Sequence, residues 1–590
     1  MIPINSNLSP KSRVADFISS LKFVPQIRLS VLRKVFSLMG RREKMTLAVL
    51  LVLTLTSGLF TSRQLLANFT ETVPAEGNSY SEGIIGQPRF INPLLATSDA
   101  DQAIVKLVFS GLYRLDNNGN VVPDLADGMP VISEDGQEYT IKMKSNAQWH
   151  DGSQVTAEDI VFTIQTLQNP EFNSPHRAEW QSTTVEKIDN TTVKFKLKSA
   201  SAPFLNNLTL PIISKKVWGS ISPADFVLSE GNIEAVGNGP YVIKEVRKLS
   251  QGSVQTILLE SFANYHNRRA YIDSVKLNFY EDIEGILTAI HGKQIDGFGF
   301  SPFEQNVRLD ESNNELKITQ LTLPQYQAVF FNTSKKLFSD VRVRRALQLG
   351  TDVRSIIDNV YNGQGQAING PILRQHVAGI PEPLITTNIN EANAILDSAG
   401  WKFDNGSSAE NGGVRKKNGT ELSFTLSTNN FSLNAKTAEL VAAQWAKLGV
   451  KVSLNIQPTR ELTESAIRPR NYDALLFAQK LGADPDPFLF WHSSQVKNPG
   501  LNLSMYANTE ADKIMSEARA TTDKTERDEK YRQFQKLIQA DAPAIFLVQN
   551  VFSYAQKDDL KGLSITNLSD STARFYDLPN WYIDTKRVLK

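Results

Sequence analysis

Apolar and polar residues alternate with period two over several stretches of this chain. In "EYTIKMK" (138–144) and "TTVKFKLK" (191–198) the alternation is unbroken. In the second, Val193, Phe195 and Leu197 share one face, as on a half-buried strand. Elsewhere the period lengthens to that of a helix. "TAED" (156–159) has the form of a capping box, in which the Thr156 hydroxyl takes a free amide and the acid reaches back. Ile160, Phe162, Ile164 and Leu167 follow it as the apolar positions of a helix.

Two stretches read as strand–helix–strand. One is "SVKLNFY", "EDIEGILTAIHG" and "IDGFGF" (274–300). The other is "ELSFTLST", "AKTAELVAAQWAKLG" and "VKVSLNI" (421–456), with Gly449 placed to end the helix. Such units imply parallel strands joined by right-handed crossovers. Two helical patterns, "EADKIMSEARA" and "TERDEKYRQFQKLIQAD", come late in the chain. From residue 80 onward the pattern is α/β or mixed α+β, with no repeat of solenoid or propeller period.

One stretch has no polar alternation at all. Met45–Ser62 is 18 residues without a charge, near the short end of a membrane-spanning helix. "RREK" precedes it and only Arg63 follows closely, so the positive-inside rule puts residues 1–44 in the cytoplasm and the large C-terminal part outside. The alternative is a cleaved secretory signal, but the leading stretch is long and no A-x-A-like site follows. An uncleaved anchor is the expectation. The basic leader with its spaced Phe, Leu, Ile and Val suits an amphipathic helix on the inner membrane face or a tail that sets topology; Pro25 breaks any single helix there. Residues 63–79 read as a polar linker.

Charge sharpens that division. Residues 1–44 hold nine Lys or Arg and two acids, net +7. Taken from totals of 63 and 62, this leaves 54 bases and 60 acids in residues 45–590, net −6. A mildly acidic body disfavours nucleic acid as its partner. The chain has 590 residues, enough for about three to four domains, and no cysteine. Disulfides, thiol catalysis and a lipid-modified cysteine are excluded.

Catalytic signatures are absent: no G-x-S-x-G, Walker A loop, H-E-x-x-H or G-x-G-x-x-G. The six histidines (150, 176, 266, 291, 376 and 492) are scattered, which disfavours a compact metal site. "WHDG" (149–152) reads as a turn, since adjacent His150 and Asp151 diverge on a strand. "DVRVRRAL" (340–347) can bind a carboxylate through Arg forks, but suits a helix start better, capped by Ser339 or Asp340 with the arginines paired to surface acids. "GNGPY" (237–241) reads as a domain-joining turn in which glycine supplies positive φ. "GADPDPFLFW" (482–491) puts two acids about one proline. With no base or metal partner nearby, it suits holding a cation better than moving a proton.

Taken in order, "NPL", "GLYRLD", "PDLADG", "EDGQEYTIKMK", "WHDGSQVTAEDIVF", "GNGPYVI", "GKQID", "FFNTSKKLFSDVRVRRAL" and "ILDSAGW" resemble the extracellular solute-binding proteins of family 5, the peptide- and nickel-type receptors of ABC importers. The resemblance covers roughly residues 80–555. It implies a periplasmic-binding-protein type II-like fold: two lobes and an inserted domain, here preceded by one transmembrane helix. Carried onto this chain, lobe I would be 80–121, 237–324 and 545–590, the inserted domain 122–236, and lobe II 325–544. The anchor would be 45–62.

In peptide-binding relatives an acid in the matching loop pairs with the ligand's N-terminal ammonium. Asp484 best matches that residue and Asp486 would shape the turn, although the loop looks one residue shorter than the commonest form, which leaves the two interchangeable. Tyr326, Phe477, Trp491 and Tyr506, with Asn332, would line the ligand site; His492 is a weak candidate for a metal-type ligand. The implied role is capture of oligopeptides without a reaction or cofactor, by a monomeric body that closes on its ligand and delivers it to permease subunits and their ATPases. Oligosaccharides or metal chelates are the rival solutes. A surface peptidase or a non-transport sensor is the rival class.

Overall fold

The computed structural model describes residues 37–300, 309, 316–381, 387–565 and 567–590. The amphipathic reading of the leader therefore lies outside the described residues for 1–36. The chain forms two units: one runs to Val73 and takes in Thr585–Lys590, the other is Pro74–Asp584.

In the first unit, helix α1 (Arg41–Phe69) contains a span, Arg41–Thr61, long and apolar enough to cross a membrane, with mean hydropathy 1.7. The hydroxyls of Thr46, Thr54, Thr56 and Thr61 donate to carbonyls one turn back. These donors are thus satisfied within the helix. The stretch expected as a linker is instead largely regular. Helix α1 continues to Phe69, and strand β1 (Thr70–Pro74) pairs with Thr585–Leu589. Both stretches carry β-branched residues, which favour a strand. Residues 585–590, expected in lobe I, belong to this ribbon, and the Lys590 amide donates to the Phe69 carbonyl at 3.0 Å.

In the second unit one sheet has eleven strands. Ten of them, in chain order, are β2 (Ser79–Ile85), β3 (Tyr241–Lys248), β4 (Val254–Ser261), β5 (Ser274–Tyr280), β6 (Gly297–Phe300), β7 (Leu316–Phe331), β8 (Ser423–Asn429), β9 (Lys451–Gln457), β10 (Ala474–Lys480) and β11 (Ala544–Lys557). Their spatial order is β9-β8-β10-β7-β11-β6-β2-β5-β4-β3, and Gln366–Ala367 pairs with β11 off that path. Both expected crossovers are present. β5 and β6 lie parallel to β2 on either side of it, joined by a helix at Ile283–His291. β8 and β9 form a parallel pair joined by a helix at Ser432–Ala446, after which Gly449 has φ +75°.

Two groups of cores use the two halves of this sheet. One runs from Tyr80 to Phe279 and includes Leu321, Phe552 and Tyr554. The other pair lies on the two faces of the second half, with Val329, Phe331 and Ile545 in one and Tyr326, Phe330 and Phe546 in the other. Strands β7 and β11 are long because they serve both halves. Their register runs Leu316↔Lys557 to Thr322↔Val551, breaks, and resumes at Tyr326↔Gln549. Pro324 lies in the break, where a residue without an amide proton cannot continue the ladder.

A four-stranded antiparallel sheet lies apart, in the order Val131–Ile132, Glu138–Lys142, Thr192–Leu197, Thr183–Lys187. Val193 and Phe195 are buried, as their alternation predicts. The capping box forms: Asp159 accepts the Thr156 amide at 2.9 Å and opens helix α2 (Ala157–Gln168).

"GNGPY" is a turn for a different reason from the one expected. Neither Gly237 nor Gly239 has positive φ. A Cβ on Gly237 would stand 1.9 Å from the Val108 carbonyl oxygen, and one on Gly239 2.6 Å from the Val108 carbonyl carbon. Glycine is required by close approach of two backbones. His150 holds this turn: its Nδ1 accepts the Gly237 amide at 3.2 Å, and Nε2 lies 3.1 Å from the Gly239 carbonyl oxygen. Burial pushes the His150 pKa down to about 4, so the ring stays neutral there. Asp151 pairs instead with Lys216 at 2.7 Å.

Candidate functional site

One cavity opens where β7 and β11 pass from one core to the other, and a second lies beside the "GADPDP" loop. The first, about 380 Å³, is lined by the end of β2 (Gly83–Ile85), the irregular Leu323–Gln325, the last residue of β10 (Lys480), and Asp99, Gly299, Phe552 and Arg574. Two stretches of backbone edge border it. Among the described residues β2 pairs with β6 only at Glu82 and Gly83, and Ile84 and Ile85 have no strand on that side. β10 pairs with β7 through Lys480 but with β8 only at Ala474 and Leu475. Beyond Leu475 the outer edge of β10 has no strand partner among the described residues, although the Thr428 hydroxyl donates to the Leu476 carbonyl.

The wall behind this cavity is a buried polar cluster. Arg574 donates to Glu82 Oε1 at 2.7 Å, and Glu82 Oε2 accepts the Tyr80 hydroxyl at 2.5 Å and the Tyr554 hydroxyl at 2.8 Å. The guanidinium lies 4.3–5.4 Å from the ring centres of Phe552, Tyr554 and Phe575. Sequence reading missed this group, because Glu82 and Arg574 lie at opposite ends of the chain.

The second cavity, about 480 Å³, lies beside the "GADPDP" loop. Its lining combines Asn118–Val121, Tyr139 and Asn206 with Arg374, His376, Asp484, Arg527 and Asn567. Gly482 has φ +84°, which begins the turn. The Asp486 amide donates to Asp484 Oδ1 at 2.9 Å, and the Phe488 amide to Asp486 Oδ1 at 3.1 Å. Each aspartate thereby fixes the backbone two residues on.

The remaining oxygens face different partners. Asp484 Oδ2 accepts the Asn206 side-chain amide at 2.9 Å and stands 3.6 Å from Arg527 Nη1. Asp486 Oδ2 stands 3.1 Å from Arg519 Nε, whose guanidinium lies over the Phe488 ring. Arg519 belongs to helix α3 (Thr509–Ala520) and Arg527 to helix α4 (Lys524–Asp541). The Ala202 amide also donates to the Arg519 carbonyl at 2.8 Å, so the segment 202–206 touches both helix α3 and the loop.

Asp484 lines the cavity, and its side chain is 12% exposed; Asp486 turns to Arg519 and is not among the lining residues. Burial raises the Asp484 pKa, against the pull of Arg527. Burial likewise lifts Asp486 to about 6, with Arg519 opposing and Asp484 adding to the rise. His376 lines the same cavity with its Nδ1 buried and, among the described residues, unpartnered, and burial pushes its pKa down to about 4. Nothing in the spacing of the six histidines singled it out.

The other expected site residues lie elsewhere. Tyr326, Trp491 and Tyr506 are buried in one core, and Phe477 packs partly buried against it. The Tyr326 hydroxyl donates to Gln479, and that of Tyr506 to Asp541 at 2.7 Å. Asn332 is buried and ties the carbonyls of Arg470 and Tyr472. The aromatics are drawn in by burial of large apolar area, which outweighs their use as a wetted wall. None of these five is among the residues lining the two cavities. His492 Nδ1 engages the Ser494 hydroxyl at 2.8 Å, and its ring stacks on Phe488.

The arginines of "DVRVRRAL" do not reach the cavities. Asp340 caps the helix Val341–Leu349 and pairs with Arg342. Buried Arg344 donates to the carbonyls of Phe338, Asp541 and Ala542. Two of those close the end of α4, where a cation meets the negative end of the helix dipole. Among the described residues no three His, Asp or Glu side chains gather as a metal site.

Two cores sharing one sheet, with a cleft at the crossing strands, define a two-lobed binding protein of the periplasmic type II fold. The family model for bacterial extracellular solute-binding proteins, family 5 Middle, matches residues 120–500. The oligopeptide-binding protein AppA of Bacillus subtilis (strain 168) is 30% identical over 519 residues, covering 86% of this chain and 92% of that protein. The structure of AppA from Bacillus subtilis in complex with a nonapeptide gives a TM-score of 0.66 at 30% identity, over 87% of this chain and 100% of that one. NikZ from Campylobacter jejuni, in complex with Ni(L-His), shares the fold with a TM-score of 0.67 at 24% identity, over 85% and 99% of the two chains. The chain belongs to the bacterial extracellular solute-binding proteins of family 5.

Proposed function

We propose that this protein is a membrane-anchored extracytoplasmic receptor that captures oligopeptides for an ABC importer and catalyses no reaction. Asp484 carries the reading: it is a largely buried carboxylate on the wall of a cavity between the two lobes. A ligand ammonium there would offset the cost of ionising it. The edges at Ile84–Ile85 and beyond Leu475, which carry no strand among the described residues, suit an extended main chain that would pair with them as an added strand. AppA, similar over most of its length, is named an oligopeptide-binding protein and was solved with a nonapeptide.

In this reading the lobes move about the break at Leu323–Gln325, and ligand contacts favour the closed state. Helix α1 anchors the body, and permease subunits with their ATPases take the released ligand.

The test is thermal. Peptides with a free amine should raise the melting temperature, and N-acetylated copies should raise it far less. Asp484→Asn should lose most of the shift, as loss of a shielded charge partner costs about 3–5 kcal/mol. Equal shifts in variant and wild type would reject the amine clamp. A metal chelate is the second reading, favoured by the unpartnered Nδ1 of His376 in the same cavity. Titration with nickel–histidine, in wild type and His376→Ala, separates the two.

A further inference from the structure

We infer that Lys480 reads a carboxylate on the ligand, close to its N-terminus; the inference rests on the peptide reading above. The 380 Å³ cavity has three charged residues in its lining: Asp99, Lys480 and Arg574. Arg574 is committed to Glu82 and to the Ser571 carbonyl, and is almost wholly buried. Asp99 accepts the Ser571 hydroxyl. Lys480 is exposed, and among the described residues its ammonium has neither an ion-pair nor a hydrogen-bond partner. It is the one cation of this lining still open to a ligand.

Its place on the strand makes the ammonium useful. Lys480 ends β10 and is held in register opposite Gln325, at the break between the lobes. A peptide lying along the free edge of β10 with its amine at Asp484 would pass Lys480. Four residues separate the two positions, a span of at most ~14 Å at ~3.4 Å per residue. The carboxylate it meets therefore lies within about the first four or five ligand residues. Two sources offer the same chemistry: an acidic side chain in a longer peptide, or the C-terminal carboxylate of a short one. Lysine serves either as a point charge with three donors, without the fixed geometry an arginine fork would impose.

Calorimetry on the full chain in detergent micelles tests this with four peptides, all bearing a free amine. Two are C-amidated hexamers, one with Glu and one with Gln at position 3. Two are tripeptides, one with a free C-terminal acid and one amidated. In wild type the Glu hexamer, the acid tripeptide, or both should bind about tenfold more tightly than its neutral twin, as a charge-assisted contact of ~1.4 kcal/mol gives. Whichever pair shows the difference names the source. Lys480→Ala should erase the preference and leave the neutral peptides unchanged, and Lys480→Arg should keep most of it. Binding without any acid preference in wild type overturns this inference alone, as does an equal loss for acidic and neutral peptides in Lys480→Ala. Failure of all four peptides to bind overturns the peptide reading and this inference with it.

Discussion

Asp486 gives a sharp test of the electrostatics beside the cleft. Burial raises its pKa from the ordinary 3.8 to about 6, with Arg519 pulling it down and Asp484 pushing it up. A folded-state value above the unfolded one means that the native chain keeps a proton which the unfolded chain has released. Between about pH 4 and pH 6 the native state binds more protons, so stability falls as pH rises. The loss is complete above about pH 6 and absent below about pH 4. A gap of about two pH units corresponds to ~3 kcal/mol. Asp486→Asn removes the ionisation but keeps a side-chain oxygen for the Phe488 amide, which Asp486 accepts at 3.1 Å. Relative to wild type, the variant should gain up to ~3 kcal/mol between pH 4 and pH 8. Part of any offset common to both pH values reflects Arg519, one-third exposed, losing its partner. The assay is urea or thermal unfolding of both proteins at half-unit steps across that range. Taking the difference cancels the titrating groups that do not feel residue 486; Asp484, which does, shifts with it. A difference that stays flat with pH, or a wild type that gains stability on the variant as pH rises, would refute the burial argument.

Two further expectations concern stability. Arg574→Met leaves Glu82 buried without its cation and should cost about 3–5 kcal/mol, while the double variant with Glu82→Gln should lose less than the two single losses added, measured by melting temperature. Gly237→Ala forces a methyl to 1.9 Å from the Val108 carbonyl oxygen, and should cost ~4 kcal/mol or more, read as loss of soluble full-length protein or a fall in melting temperature; Gly252→Ala, whose Cβ meets nothing within 4 Å but whose φ is +89°, should fold with a smaller loss.

Much of the fold could be read from local pattern, because period and capping act over a few residues. The crossovers at 274–300 and 421–456, the capping box at Thr156 and the buried face of Val193 and Phe195 all follow from neighbours in sequence. The site could be read only where its geometry is also local. "GADPDP" shows its turn, since each aspartate bonds the amide two residues on. The partners of those acids come from 206, 519 and 527, and no spacing rule links them. The aromatics pack in the core for a physical reason. An aromatic beside a binding loop is equally good core material, and Trp491 gains more by packing against Phe330 and Phe546 than by facing water.

The same contest explains why Lys480 and His376 escaped notice. A lysine at a strand end and a histidine in a loop are ordinary in sequence. Each becomes chemically informative only when the fold leaves its polar atom unpaired on a cavity wall. On the proposed reading, the binding groups are those that the fold leaves on the cavity walls. The large apolar residues are consumed by the lobes, and Arg574, Arg344 and Asp486 are committed to internal partners. What stands at the cleft is strand edge, Asp484 on a cavity wall beside Asn206 and Arg527, and the side chains of His376 and Lys480. That set is polar and open along its length, and it suits a main chain with charged groups better than a flat apolar solute.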